Sequence, residues 1–178
     1  MGRFATGVTV VTTTWGGDVH GMTANAFVSI SIDPRLVLVS VSKRARMHDM
    51  LLASRRYALS VLAEDQEGVA RHFAGRTKKI TSVDFEWKDD LPLVKHALAH
   101  VRCTVDAHHE AGDHTLFLGR VDDLDFRDGY PLVFFRGRFY GVTSRPEGIS
   151  IPALTAREQL EALDEGTERE SFPLEYYW

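Results

Sequence analysis

ALAHVRCTVDAH, residues 97–108, decides the fold. Ala97, Ala99, Val101, Cys103, Val105 and Ala107 alternate with Leu98, His100, Arg102, Thr104, Asp106 and His108. A period of two puts the small apolar set on one face of a strand and a mainly polar set on the other. The segment therefore reads as a long strand with one wet face. Cys103 is expected in the core, because free cysteine is among the most buried residue types, and His100 and His108 are expected in solvent.

Strand signals continue on both sides of it. VTVVTTT at 8–14 is almost all β-branched, which suits a pleated strand and penalises a helix. WGGD at 15–18 supplies turn chemistry, so a hairpin should return through 19–23. LVLVSVS at 36–42 follows the breaker pair Asp33-Pro34 and reads as a buried strand, as does YALSVL at 57–62. HTLFLGRV, PLVFF and FYGVT extend the series, with Gly137-Arg138 as a turn and Phe134, Phe135 and Tyr140 as core aromatics. Two segments break the pattern. At 45–55, Met47, Met50, Leu51 and Ser54 form one stripe at helical spacing. DQEGVARHFA at 65–74 opens on an acid and is followed by Gly75, the start and stop signals of a helix. The fold predicted is mainly β, an antiparallel barrel that is closed or nearly so, since closure removes exposed edges, with two or three peripheral helices.

Composition narrows the function. The 178 residues are 44% apolar, enough for one real core, and the net charge of −4 comes from acids and bases mixed along the chain. A nucleic-acid partner would call for a basic excess, so none is expected. Cys103 is the single cysteine, which leaves no internal disulfide framework and fits a reducing compartment. No leader pattern opens the chain and no apolar run approaches the ~18 residues of a membrane span, so a cytoplasmic protein without membrane contact is expected.

Eight histidines raise the question of a metal, yet His108 and His109 point to opposite faces of their strand, and there is no HExxH or paired-cysteine pattern. No metal is expected. GxSxG, Walker and GxGxxG motifs are missing too. What remains is GMTANAFVSISIDP at 21–34, whose small or hydrogen-bonding residues Gly21, Thr23, Asn25, Ser29 and Ser31 lie between apolar strands. Such residues let a planar ligand approach the backbone closely. From the residues alone, a bulged strand with a serine-rich turn is the favoured reading. GDHTLFLG at 112–119 sets Asp113 and His114 at the mouth of a buried strand.

FATGVTVVTT at 4–13, GMTANAFVSISIDPRLVLVSV at 21–41, the 62–74 segment with Gln66, GDHTLFLG and PLVFFRGRFYG together resemble the flavin reductase family, in the family's order. The resemblance implies a split β-barrel of the FMN-binding type, working as a homodimer with flavin near the subunit interface. It implies that Thr23, Ala24, Asn25, Ala26 and Phe27 line the isoalloxazine ring and that Ser40, Val41 and Ser42 approach the ribityl chain. Gln66 and Phe73 are implied as secondary contacts. Gly112, Asp113 and His114 match the nicotinamide-side signature, with His114 meeting the dinucleotide and Asp113 fixing the imidazole or the loop. The cofactor implied is FMN, or FAD, reduced by NADH or NADPH.

One departure stands out. The family's usual Ser-x-Thr pair for the flavin phosphate is replaced by Ala45 and Met47. Lys43, Arg44 and Arg46, with the free amides of a helix start, are the remaining candidates; solvated surface cations are the plainer reading of the same residues. The activity implied is NAD(P)H-dependent reduction of flavin, supplied to a partner monooxygenase. A non-catalytic flavin carrier or sensor, and a self-contained flavoenzyme acting on an organic substrate, are the alternatives. Residues 1–145 are expected to form the flavin-binding domain. Residues 146–178 are expected to add a helix, capped by Thr155 with Glu158 before Leu160 and Leu163, and an arm ending in Tyr176, Tyr177 and Trp178.

Overall fold

In the computed structural model, which describes residues 3–75 and 83–142, the alternating segment is a strand over Ala99–Ala111. Along the chain the strands are β1 (Thr6–Gly7), β2 (Thr9–Trp15), β3 (Asp18–Ala24), β4 (Phe27–Ser31) and β5 (Leu36–Ser42). Helix α1 (Arg46–Ser54), β6 (Arg56–Val61), a 3-10 turn at Glu64–Gln66 and helix α2 (Glu67–Phe73) follow. The remainder is β7 (Phe85–Lys88), β8 (Leu91–Val94), β9 (Ala99–Ala111), β10 (His114–Phe126), β11 (Val133–Phe135) and β12 (Arg138–Tyr140). This is the mainly β, antiparallel architecture with two helices that the sequence predicts. No helix among the described residues is long and apolar enough to cross a membrane. The expected C-terminal helix and aromatic arm lie outside the described residues.

Seven strands form one antiparallel sheet in the order β3-β2-β6-β9-β10-β5-β4. Val11, Val39, Val41, Leu59, Val101, Cys103, Val105 and Phe117 come from strands across that order, yet they share one cluster with Met47 and Leu51 of α1. The sheet therefore wraps around its own core. Each large side chain buried there contributes roughly 1.5–3 kcal/mol. The hydrogen-bonded ladder ends at β3 and β4, and β1, β11 and β12 make a separate small sheet. Gly119 is required inside the wrap, because a Cβ there would collide with the hydroxyl of Tyr57, itself fully buried.

The β9 alternation holds in mid-strand, where Val101, Cys103 and Val105 are buried and Asp106 is exposed. It fails at His100. The sequence places that ring in solvent, but it is 7% exposed. Through β8 the β7–β8 hairpin packs over β2 and β6, burying Ala58 against Leu91 and Leu93, while the buried Ser60 hydroxyl accepts the Val94 N–H at 3.0 Å. Under this flap the His100 ring lies between the Val94 carbonyl, 2.8 Å from Nε2, and Asp125, 3.1 Å from Nδ1, with Glu86 at 3.7 Å. Lys88 closes the cluster on Asp125 at 2.5 Å, so two bases face two acids. His108 is exposed, as expected.

Two further expectations need correction. The single helix at 65–74 is a 3-10 turn followed by a shorter α2, because the Gln66 side chain folds back to accept the Ala63 N–H at 3.0 Å. Tyr140, read as core, is 46% exposed; the short β12 keeps Phe139 inside against Phe134 and turns its neighbour out.

Candidate functional site

β3 enters β4 through Asn25 and Ala26, and the Ser40 N–H donates to the Ala26 carbonyl at 3.1 Å. Antiparallel pairing then sets Ser40, Val41 and Ser42 opposite Leu116, Thr115 and His114. The Lys43 N–H donates to the Asp113 carbonyl at 3.0 Å. Three segments far apart in the chain, 23–27, 40–46 and 112–114, thus meet at one end of the sheet. The local reasons are ordinary: Gly112, at φ +64°, makes the β9–β10 turn, and Asn25 and Ala26 interrupt an otherwise β-forming run.

The side chains within this junction differ in what they offer. Asn25 and Ala26 are exposed and Phe27 is half-buried, leaving a shallow small-residue surface. Ala24 and Val41 belong to the core, so only their backbone groups can face a ligand. The Thr23 hydroxyl donates to the Ala70 carbonyl of α2 at 2.7 Å. Phe73 of the same helix covers Gly21, where a Cβ would lie 2.5 Å from the ring. Gln66 is held elsewhere. Its amide nitrogen donates to the Lys95 carbonyl at 2.8 Å, and it lines a cleft of about 220 Å³ with Val69, Val94 and His96. A larger cleft of about 370 Å³ runs between Trp15 and Trp87, also away from the junction. The surface at 23–27 is open rather than enclosed.

Charge gathers where β5 runs into α1. Ala45 caps the helix without a side-chain hydrogen bond, so the first amides of α1 are not claimed by a side chain. Lys43 pairs with Glu110 at 3.1 Å and Arg46 with Asp18 at 2.6 Å, whereas no described side chain pairs with Arg44. On the adjacent hairpin, His114 Nδ1 lies 2.8 Å from Asp113 Oδ1, and this contact holds the Asp113 carboxyl below its ordinary value. Sequence reading missed His48, whose ring bonds Asp49 and Thr115 at 3.0 Å each. Nothing local could reveal it, since Thr115 is 67 positions away.

A model of the "Flavin reductase like domain" matches residues 1–143. The chain belongs to the flavin reductase family. The chain is 54% identical over 142 residues to an NADH-dependent flavin reductase of Rhodococcus, covering 78% of this chain and 81% of that one. It is 41% identical to the reductase component of a 4-hydroxyphenylacetate 3-monooxygenase from Thermus thermophilus, covering 76% and 88%. Among solved structures, the flavin reductase PheA2 in its native state superposes with a TM-score of 0.78 at 46% identity, covering 80% of this chain and 94% of that chain.

The junction suits the ligand a flavin reductase needs. Asn25 and Ala26 leave room for a flat ring to lie on exposed backbone, and the first amides of α1 stand beside Lys43, Arg44 and Arg46, of which Lys43 and Arg46 are already paired with carboxylates. The Ser29 hydroxyl in β4 is buried with no hydrogen-bond partner among the described residues.

Proposed function

We propose that this chain is an NADH-dependent flavin reductase that supplies reduced flavin, FMN or alternatively FAD, to a monooxygenase, and that it works in the cytoplasm as a homodimer. The observation that carries the reading is the junction where 23–27, 40–42, the cationic turn and the His114 hairpin converge, in a member of the flavin reductase family. Bound flavin supplies the ring that takes up hydride from the nicotinamide. The task left to the chain is to bind, to orient and to exclude water. Asn25 and Ala26 provide the floor, Ser40 and Ser42 the wall, and Lys43, Arg44 and Arg46 neutralise phosphate without the hydroxyl pair that positions 45 and 47 lack. Asp113 orients the imidazole of His114, which faces the dinucleotide. A second subunit would cover the open side of this surface.

The test is to mix the purified protein with FMN or FAD and to follow nicotinamide absorbance with NADH and with NADPH. NADH oxidation that accelerates with added flavin is the expected result. Flavin binding with no such acceleration would leave a carrier and overturn the proposal.

A further inference from the structure

His48 is a half-hidden ring, its side chain 14% exposed, lodged between α1 and the first residues of β10. Nδ1 lies 3.0 Å from the carboxylate of Asp49, which can only accept, so in the neutral imidazole the proton sits on Nδ1. Nε2 is then an acceptor, and the Thr115 hydroxyl, 3.0 Å away, donates to it. The order of bonds, Thr115 to His48 to Asp49, is that of a nucleophile, base and orienting acid. Thr115, however, is 2% exposed, so no substrate can reach its oxygen. The chain of bonds can hold but cannot attack.

What it holds is specific. Thr115 follows His114 directly and faces the opposite side of the strand, and it stands opposite Val41 in the register. The edge of the His48 ring also rests on the fully buried Phe117, centroids 5.7 Å apart at 72°. The helix that carries His48 begins at the cationic turn of residues 43–46. One side chain therefore ties the strand that aims His114 to the helix that follows the phosphate-binding turn. We propose that His48 is a positioning residue: through Thr115 it fixes where His114 stands relative to the bound flavin. This rests on the proposed nicotinamide-side role of His114.

The experiment measures KM for NADH, kcat and flavin affinity for His48→Leu, His48→Gln and Thr115→Val, each alone and the leucine variant also combined with His114→Ala. His48→Leu and Thr115→Val should each raise KM for NADH by about fivefold, the scale of one buried hydrogen bond, with kcat within twofold of the parent. Gln keeps a polar end within reach of Thr115 and should restore KM. In a His114→Ala background the leucine change should add nothing, because there is no longer an imidazole to misplace. An unchanged KM in Thr115→Val, a soluble variant with the ring retained, overturns the proposal, as does an additive effect with His114→Ala. A parent protein that fails to oxidise NADH with flavin would instead defeat the underlying functional reading, so the two failures are distinct.

Discussion

Asp113 and His114 stabilise each other at 2.8 Å on an exposed hairpin, where an ion pair contributes little to folding. Their proposed significance is orientation, and this sets the expected phenotype. His114→Ala should raise KM for NADH by about tenfold, the scale of one lost charge-assisted contact, and leave the dissociation constant for FMN within twofold. Fluorescence titration with FMN beside steady-state kinetics checks it, and an unchanged rate at limiting NADH would remove His114 from the mechanism. Cys103 makes the opposite case. It is fully buried, and burial pushes its thiol up to about 12, so almost no thiolate exists near neutral pH. An aromatic disulfide reagent should leave the native protein unmodified and titrate one thiol after denaturation; fast reaction in buffer would contradict the packing. The burial of Cys103 was legible from its place in a period-two pattern, and the place of His114 beside Asp113 at the start of β10 from a local tripeptide. His48 was not, because its meaning depends on a hydroxyl 67 positions away.

Among elements, the β7–β8 hairpin accounts for most of what the sequence hid. Alternation in β9 describes the inner face correctly, but a strand cannot announce which of its outer positions another hairpin will cover. His100 is the residue that reveals the flap. Its neighbour Asp125 is also the site of a pH effect. Burial alone would raise the Asp125 carboxyl, and the Lys88 hydrogen bond together with the charges of His100 and Lys88 outweighs that and holds it below the ordinary value. A carboxyl lowered on folding stabilises the folded state above its unfolded pKa of about 3.9, and that contribution is lost as pH falls through the lowered folded value. Asp125→Asn should therefore lower stability near neutral pH, by about 1 kcal/mol or less because the carboxylate is 44% exposed. Thermal unfolding of both proteins from about pH 3 to pH 7 should show the gap closing below about pH 4. A gap of constant size across that range would mean that packing, and not charge, links the hairpin to the sheet. The split of the 65–74 segment has a similar cause: Gln66 spends both ends of its amide on the backbone at 63 and 95, which no helix-start rule anticipates.

For the whole molecule, the decisive fact is which strands stand at the ends of the ladder. Strand identities could be read from β-branched runs and turns, but strand order joins segments more than 60 residues apart and carries no local signal. That order makes β4 an edge, and its outward row, with Ile32 just past the strand, is apolar: Val28, Ile30 and Ile32 are 51%, 48% and 45% exposed. Three branched side chains at a spacing of two, beside unpaired backbone, form the kind of edge that monomeric proteins blunt with charge or cover. The edge directly continues the open floor at Asn25 and Ala26, so a second copy of the chain seated on β4 would bury the row and wall the flavin surface at once. Val28→Lys combined with Ile30→Lys places two like charges on that face without touching the core. If the proposed homodimer forms through this edge, sedimentation velocity should show dimers for the parent and monomers for the doubly substituted protein, and FMN affinity should fall by tenfold or more, as an effect of losing one wall of a site. His114→Ala, measured in parallel, should keep the dimer. If the doubly substituted protein remains dimeric and binds FMN as before, the partner does not sit on β4, and the open floor must be completed by this chain alone.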